Sequence, residues 1–278
     1  MEAHDFKRIL KPTEKIAYYF TLDNSPYDLY KDIKCSKIGG IPYWPVGLEY
    51  PKFENENFKL VAQLNLDELS QKVDLKKISP YYPTSGILQF FYPESGSWWD
   101  DDYFIFYHKT SDAEHSLTDE QIATAFNDEH MGFDEGFKIT LNVQTKELLG
   151  SKDLLYQRLF SRDIPEINDN AFNEILMWGF DDASQNTYEQ ITGGTKIGGY
   201  ASFAQEDPLC YADDEFYEAF NQYFDEDNNK YPMILLFQMD SDLNNMCWGD
   251  AGVANWRIDV ESLRDLEFQN TIFNYDCG

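Results

Sequence analysis

Long apolar runs and grouped cysteines are both missing from this sequence. Apolar runs such as residues 233–237 are far shorter than the roughly 18 residues of a membrane-spanning helix. The first residues lack the basic segment and following apolar segment of a secretory signal, so we expect a cytoplasmic protein without a membrane partner. The four cysteines, at positions 35, 210, 247 and 277, form no CxxC pair and are predicted to be free thiols.

Positive charge is also scarce. The chain has 22 Lys and Arg residues against 50 Asp and Glu residues, a formal net charge of −28. Residues 162–278 contain five basic and 24 acidic side chains, so this part alone carries −19. Such a surface repels nucleic-acid phosphates and anionic membranes, which excludes both as expected partners. A basic protein is electrostatically favoured as a partner, and the alternative is that the charge serves only solubility.

Motifs for catalysis and metal binding are absent. The four histidines form no HExxH motif and have no spacing to cysteine that suits zinc. Acidic stretches at 225–229 and 240–244 begin like calcium-binding loops but lack the closing glutamate. The chain also has no G-x-S-x-G nucleophile elbow and no phosphate-binding P-loop. The sequence therefore identifies no catalytic residue, no metal site and no cofactor.

Alternating apolar residues predict strands, most clearly at 137–143, where Phe137, Ile139, Leu141 and Val143 share one face. Further strands are predicted at 58–66, 86–92, 103–107, 232–239, 253–258 and 271–275. Helices are predicted in a leader within residues 1–30 and near 118–126, 151–159, 170–176 and 213–224. Because strands dominate without regular alternation with helices, the pattern indicates an α+β fold that is predominantly β, with peripheral helices.

One tetrapeptide recurs. Lys-Ile-Gly-Gly at 37–40 returns at 196–199, and each copy is followed by a strand with a central glutamine and then by a glycine that opens an apolar strand. The same order with different gaps indicates a duplication rather than a solenoid. We expect one domain over residues 1–278, with pseudo-repeat halves at about 36–145 and 190–278 joined by a helical segment at 146–189.

The repeat singles out turn glycines and two glutamines. Gln63 and Gln238 lie on apolar strands and need hydrogen-bond partners if they are buried. Each could clamp its neighbouring glycine loop or contact a ligand. Glycines are expected to form structural turns at Gly39, Gly40, Gly198, Gly199, Gly249 and Gly252.

Several segments together resemble the YwqG-like family (DUF1963), a bacterial domain family of unknown function. The resemblance rests on the Lys-Ile-Gly-Gly start with its following prolines, on the strands at 60–66 and 86–91, on residues 246–253 and on the ending at 273–277. It covers about residue 36 to the C-terminus and implies a mainly β, roll-like fold with an internal pseudo-repeat, but no established reaction. Ala201 stands where Pro42 would align, so the second glycine loop is expected to differ in shape.

Two segments combine aromatic and polar residues in ways that suit binding. The loop at 97–103 holds Trp98, Trp99, Asp100, Asp101 and Asp102, a combination that suits a protein-binding surface or sugar stacking.

The second segment is the turn at 248–252, where Trp248 can be buried and Asp250 can either fix the turn or stand at a pocket mouth. In the pocket interpretation, Asp250, Gln63, Gln238 and Asn255 would line a cavity between the two halves.

Three functions follow as hypotheses. The leading one is a non-enzymatic protein that binds a basic partner through its acidic surface, for example to neutralise a basic toxin by occlusion. The alternatives are an enzyme of unrecognised type and a small-ligand or carbohydrate-binding protein. The oligomeric state is not indicated.

Overall fold

The computed structural model describes most of the predicted strands but leaves gaps between them. The described residues are 13–28, 30–53, 56–93, 103–115, 117, 136–147, 149, 152–153, 193–205, 207–211, 233–241, 243 and 248–278. All structural statements below concern these residues.

Strands dominate the described structure. They are β1 Lys15–Leu22, β2 Lys37–Ile38, β3 Lys52–Phe53, β4 Glu56–Asn65, β5 Ile87–Pro93, β6 Phe104–His108, β7 Phe137–Glu147, β8 Lys196–Gly198, β9 Met233–Asp240, β10 Val253–Asp259 and β11 Ile272–Asp276. The α-helices are α1 Leu66–Lys72 and α2 Val260–Asp265, and short 3-10 helices lie at Leu75–Lys77, Pro208–Tyr211 and Phe268–Asn270. The predicted fold class, α+β with β structure predominant, is confirmed.

The strands form one antiparallel sheet whose order is symmetric about its centre. The order is β11-β10-β9-β8-β1-β7-β2-β4-β5-β6, with β3 paired to β4. We call β1–β6 the first repeat and β7–β11 the second repeat. Read from either edge inward, the strands of the two repeats correspond, and β1 and β7 meet in the middle.

The two repeats exchange their first strands. β1 pairs with β8 of the second repeat, while β7 pairs with β2 of the first repeat. β1 and β7 thus occupy equivalent positions in the strand order, and the halves predicted at about 36–145 and 190–278 remain a prediction. Residues 154–192, most of the segment expected to join the halves, lie outside the described residues.

The seven predicted strands all correspond to observed strands, but the prediction for residues 1–30 was wrong over part of its length. Residues 15–22 form β1 instead of helix and turn. The run Ile16 to Phe20 does not alternate, because neighbouring Ala17 and Tyr18 are both buried where the sheet is covered on both faces. Residues 1–12 lie outside the described part, as do the helices predicted near 118–126, 170–176 and 213–224 and nearly all of the one at 151–159.

The described helices are short and capped by polar side chains. The Asn65 side chain accepts a hydrogen bond from the backbone N–H of Glu68 at the start of α1. Asp259 caps α2 by accepting from the N–H groups of Glu261 and Ser262. Neither described helix is long and apolar enough to span a membrane.

The sheet curls so that the repeats share one hydrophobic core. The ring of Phe90 in β5 lies 5.0 Å from that of Phe237 in β9 and 5.1 Å from that of Trp256 in β10. Tyr82 donates a hydrogen bond of 2.8 Å to the backbone oxygen of Leu236 across the same core. The outer face of each repeat is covered instead by the loop that follows its paired glycines.

Candidate functional site

Gln63 of β4 is completely buried on the outer face of the first repeat. Its Oε1 accepts hydrogen bonds from the Tyr43 N–H at 2.8 Å and from Gln89 Nε2 at 2.8 Å. Its Nε2 donates to the carbonyl oxygens of Ile33 at 2.8 Å and Cys35 at 2.9 Å. The whole hydrogen-bonding capacity of the carboxamide is therefore used within the protein.

Gln238 of β9 occupies the corresponding place in the second repeat. Its Oε1 accepts from the Ser202 N–H at 2.7 Å, and its Nε2 donates to the Gly194 carbonyl at 3.0 Å. Lys37 lies opposite Gln63, and Lys196 lies opposite Gln238. Each glutamine thus ties its strand to the loop that follows the paired glycines.

The paired glycines have the same backbone conformation in both repeats. Gly39 and Gly40 have φ angles of 61° and 72°, and Gly198 and Gly199 have 71° and 70°. This left-handed region is favourable for glycine and costly for other residues. The two loops share this start although Ala201 replaces the proline of the first copy.

The two glutamines lie in different regions of the sheet. Strands β8, β1, β7 and β2 separate β9 from β4. At about 4.8 Å per strand, Gln238 and Gln63 are roughly 24 Å apart along the sheet. The structure therefore does not bring these two residues into one site.

The turn at 248–252 separates its two candidate residues. Trp248 is buried, with its ring 5.5 Å from Tyr275 and 6.3 Å from Trp256. The Gly252 N–H closes the turn by donating to the Trp248 carbonyl at 2.7 Å. Asp250 is exposed at the tip, and Gly249 before it has a φ of 54°.

Asn255 of β10 lies on the outer face of the second repeat and is completely buried. Its Nδ2 donates to the Ser202 carbonyl at 3.2 Å, whereas its Oδ1 is buried without a hydrogen-bond partner. Asn274 of β11 lies directly opposite, and its Nδ2 is likewise buried and unpaired. Asp276, two residues further on the same face, leaves its Oδ1 unpaired. We call Asn255, Asn274 and Asp276 the second-repeat polar site.

At the corresponding place in the first repeat, longer side chains satisfy their hydrogen bonds within the protein. Gln89 follows Gly86 by three residues, as Asn255 follows Gly252. Its Nε2 donates to the Tyr43 carbonyl at 2.7 Å, and its Oε1 lies 2.8 Å from His108 Nε2. Shorter side chains in the second repeat leave polar atoms that need a water molecule or a ligand group.

Sequence reasoning identified only Asn255 in this site. Asn274 and Asp276 were missed because their positions beside β10 depend on the β10–β11 register. The Asp276 Oδ2 accepts from the Gln205 N–H at 2.7 Å, and burial raises the pKa of this carboxyl group above its usual range.

A cleft of about 490 Å³ lies beside α1 and the start of β7. The Lys138 Nζ lies 2.9 Å from Asp32 Oδ2 there, and Glu68 Oε2 accepts from the Ser36 N–H at 3.3 Å. Burial raises the pKa of Glu68, and it raises the pKa of the Cys35 thiol to about 11. A thiol with so high a pKa is a poor nucleophile near neutral pH. The cleft is lined by Asp23, Asp32, Cys35, Ser36, Glu68, Gln71, Lys72, Lys138 and Ile139.

No residue of this cleft was a candidate from the sequence, because four separated segments contribute to it. The aromatic and acidic candidates Trp98, Trp99, Asp100, Asp101 and Asp102 lie outside the described residues. Within the described part of the chain, no three His, Cys, Asp or Glu side chains gather as a metal site would require.

The described cations of residues 193–278 are all engaged by carboxylates. Lys196 Nζ lies 2.7 Å from Glu147 Oε1, and both side chains are completely buried. Arg257 makes a two-pronged contact with Asp207 at 2.9 and 3.0 Å.

The third cation of residues 193–278, Arg264, lies 2.9 Å from Asp265 at the surface. The exposed carboxylates of Asp250, Glu261 and Glu267 have no cation at ion-pair distance among the described residues.

No curated protein matches the chain. The family model described as "Domain of unknown function (DUF1963)" matches residues 36–277. This range includes the paired glycines, the two buried glutamines, the second-repeat polar site and the cleft residues from Ser36 onward. This match covers far more than half of the 278 residues, and the chain therefore belongs to the DUF1963 family.

Proposed function

We propose that this protein is a non-enzymatic binding protein that engages a basic protein partner through the acidic surface of its second repeat. The observation that carries the proposal is the engagement of every described cation in residues 193–278 by a carboxylate. Negative charge therefore dominates the exposed surface of this part. Neutralisation of a basic toxin by occlusion is one form that such binding would take.

The charge acts on association more than on the final contacts. A surface of one sign steers an oppositely charged partner and raises its association rate, and salt screens this effect. At physiological ionic strength the screening length is about 8 Å, so binding should weaken as salt rises. The cytoplasm is the proposed compartment, because the free thiols of Cys35 and Cys277 suit a reducing environment.

The test begins with capture of partners from cell lysate at low and moderate salt, with identification by mass spectrometry. The captured basic protein is then purified, and its association rate is measured with two triple variants that each remove three negative charges. The second-repeat variant carries Asp250→Asn, Glu261→Gln and Glu267→Gln, and the matched first-repeat control carries Glu49→Gln, Asp112→Asn and Glu114→Gln.

We expect the second-repeat variant to lower the association rate at low salt by roughly tenfold, and the control to lower it by less than about twofold. Equal effects of the two variants would contradict a specific acidic surface. Failure to recover any basic protein whose retention falls with salt would overturn the proposal.

A second candidate, small-ligand binding, is favoured by the unpaired Asn255 Oδ1 and Asn274 Nδ2 in the second-repeat polar site. A ligand group that both donates and accepts hydrogen bonds, such as a hydroxyl or an amide, would satisfy both atoms. A sugar or amide that raises the melting temperature of the protein should lose this effect in Asn274→Asp but keep it in Asn142→Asp on exposed β7. Ordered water alone in the site, with no stabilising ligand, would exclude this candidate.

A further inference from the structure

The second-repeat polar site presents three buried hydrogen-bonding atoms without partners. The Asn255 side chain is completely buried, and its Nδ2 donates to the Ser202 carbonyl at 3.2 Å. Because a carbonyl oxygen can only accept, this bond fixes the orientation of the Asn255 carboxamide and leaves Oδ1 as an acceptor without a donor. Asn274 Nδ2 is a donor without an acceptor, and Asp276 Oδ1 is a second acceptor without a donor. A complementary group therefore donates two hydrogen bonds and accepts one.

The three side chains lie close enough together to contact one small group. Asn274 is directly opposite Asn255 in the sheet, and Asp276 is its diagonal neighbour on the same face. Cβ atoms of directly opposite residues are about 4.5–5.5 Å apart, and diagonal neighbours are roughly 7–8 Å apart. A planar group of the size of an amide bridges such distances.

In the first repeat, a carboxamide of the protein itself lies at the corresponding place. Gln89, the counterpart of Asn255, is completely buried. Its Nε2 donates to the Tyr43 carbonyl at 2.7 Å and to Gln63 Oε1 at 2.8 Å, and its Oε1 lies 2.8 Å from His108 Nε2. Because an amide oxygen only accepts, the imidazole donates in this last bond. The Gln89 carboxamide thus meets two acceptors and one donor, which is the set that the second-repeat polar site leaves unpaired.

Ring-bearing residues around Gln89 correspond to short polar residues around Asn255. Equal spacing from the paired glycines and the strand register give the pairs Tyr43 and Ser202, Phe106 and Asn274, and His108 and Asp276. Asn255 is itself one methylene shorter than Gln89. The second repeat therefore keeps polar atoms at this place but lacks the larger side chains that satisfy them in the first repeat.

We propose that the second-repeat polar site binds a small molecule through a neutral primary carboxamide, which donates to Asn255 and Asp276 and accepts from Asn274. This inference rests on small-ligand binding, the second candidate function, and names the chemical class of the ligand. It is independent of the acidic surface, because a basic protein partner could bind that surface whether or not this site is occupied.

The hydrogen-bonding set disfavours other common groups. A carboxylate cannot donate, and it would bring a second negative charge beside Asp276. An ammonium group cannot accept from Asn274, and a hydroxyl has only one hydrogen to donate. Water donates two hydrogen bonds and accepts one, so the experiment must distinguish a carboxamide from ordered water.

Side-chain amide signals of asparagine report directly on this site. Protein labelled with nitrogen-15 asparagine shows the Nδ2 groups of Asn255 and Asn274 in NMR spectra, where triple-resonance experiments assign them. Asn142, exposed on β7, is the internal control. The probes are propionamide, propionate and 1-propanol, which have similar sizes and differ in their hydrogen-bonding groups.

We expect propionamide to shift the signals of Asn255 and Asn274 saturably, with a dissociation constant on the order of 10 mM, and to leave that of Asn142 unchanged. Propionate and 1-propanol should bind at least roughly fivefold more weakly, because each leaves a buried polar atom unsatisfied. Equal or tighter binding of either would overturn the carboxamide inference and leave small-ligand binding standing. No response of the two signals to any probe would overturn both and leave ordered water as the occupant.

A reversal of specificity is expected in the variant Asn274→Asp, which replaces the donor by an acceptor of the same shape. Propionamidinium resembles propionamide but carries N–H groups on both nitrogens, so it should bind this variant more tightly than propionamide does. The unchanged protein and the matched control Asn142→Asp should show the opposite order, with the Asn255 signal as the readout in all three proteins. Tighter binding of propionamidinium by the unchanged protein would contradict the assignment of Asn274 as the donor and overturn the proposal. The same follows if Asn274→Asp folds, as circular dichroism would show, and keeps the original order.

Discussion

The buried Lys196–Glu147 pair allows a prediction whose size follows from the structure. Lys196 Nζ lies 2.7 and 2.8 Å from the two carboxylate oxygens, and both side chains are completely buried. The Tyr200 N–H donates to the same carboxylate at 2.8 Å, and the Tyr19 hydroxyl also donates to it. In Glu147→Gln, the Lys196 ammonium would lose its counterion in a site without solvent.

Two estimates of the loss agree. Removing one partner of a buried ion pair costs about 3–5 kcal/mol. The lysine can alternatively fold in its neutral form, and deprotonating a group of pKa 10.4 at pH 7 costs about 4.6 kcal/mol, at 1.36 kcal/mol per pH unit. Burial already lowers the pKa of Lys196, which favours the neutral form. Because the variant can fold with Lys196 neutral, about 4.6 kcal/mol is the upper limit for the loss in the free energy of unfolding.

The neutral form also gives the variant a distinctive pH dependence. When the folded state holds Lys196 neutral and the unfolded state holds it protonated, the unfolded state binds more protons, and stability rises with pH. The free energy of unfolding of Glu147→Gln should therefore recover by up to about 1.4 kcal/mol per pH unit between pH 7 and pH 9, relative to the unchanged protein.

Urea unfolding followed by tryptophan fluorescence measures these differences, provided that the denaturant slope is unchanged. Lys146→Met is the control, because Lys146 and Glu14 form a surface pair at 3.3 Å with the lysine side chain 61% exposed. Its loss should cost less than about 1 kcal/mol. The double variant Glu147→Gln/Lys196→Met should be more stable than Glu147→Gln alone. A loss below about 1 kcal/mol in Glu147→Gln, or a loss that does not change with pH, would refute the reasoning.

Two further predictions concern single residues. Burial lowers the pKa of His108 to about 4 from an ordinary value of 6.5. As pH falls through this window, the unfolded state is protonated first, and up to about 3 kcal/mol of stability should be lost. His108→Gln should flatten this part of the plot of unfolding free energy against pH, measured by urea unfolding, and a variant that keeps the full slope would contradict the assignment. A Cβ on Gly199 would lie 2.1 Å from Glu147 Oε2, whereas one on Gly47 would meet nothing within 4 Å, although both glycines have positive φ. Gly199→Ala should therefore lower stability by more than the roughly 1 kcal/mol expected for Gly47→Ala, and equal losses in melting experiments would show that the close approach is unimportant.

The local sequence pattern was sufficient to predict the strands whose side chains show a regular pattern of burial. β7 was predicted from its alternation, although it extends to Glu147, beyond the predicted end at residue 143. β1 was missed because its burial comes from strands far away in sequence, which pair with it on both sides. α1 and α2 were missed because seven and six residues are too few to show a helical period.

The repeated tetrapeptide led to the glutamines and to Asn255, but not to the strand exchange. Pairing of Tyr19 with Lys196 joins residues far apart in sequence, and no local signal specifies it. The cleft was invisible for the same reason, since Glu68 and Lys138 meet only through tertiary structure. Conversely, the glutamine clamp could be deduced because a buried carboxamide must find partners close to its strand.

Comparison of the repeats indicates where this fold has been adapted. Both keep the glutamine clamp, which satisfies buried polar groups and so contributes stability. Beyond the clamp they differ, because Trp44 in the first repeat lies 6.1 Å from Phe91, while the corresponding Phe203 lies 5.0 Å from the Arg257 guanidinium.

A charged and polar outer face on the second repeat costs stability wherever its groups stay unpaired. Asp207 compensates Arg257, but the described residues offer no partner to Asn255 Oδ1 or Asn274 Nδ2. The first repeat shows that Gln89 and His108 can close this place within the same architecture. Because a closed arrangement is available to the fold, the unpaired Asn255 Oδ1 and Asn274 Nδ2 of the second repeat are the reason for proposing small-ligand binding there as the second candidate function.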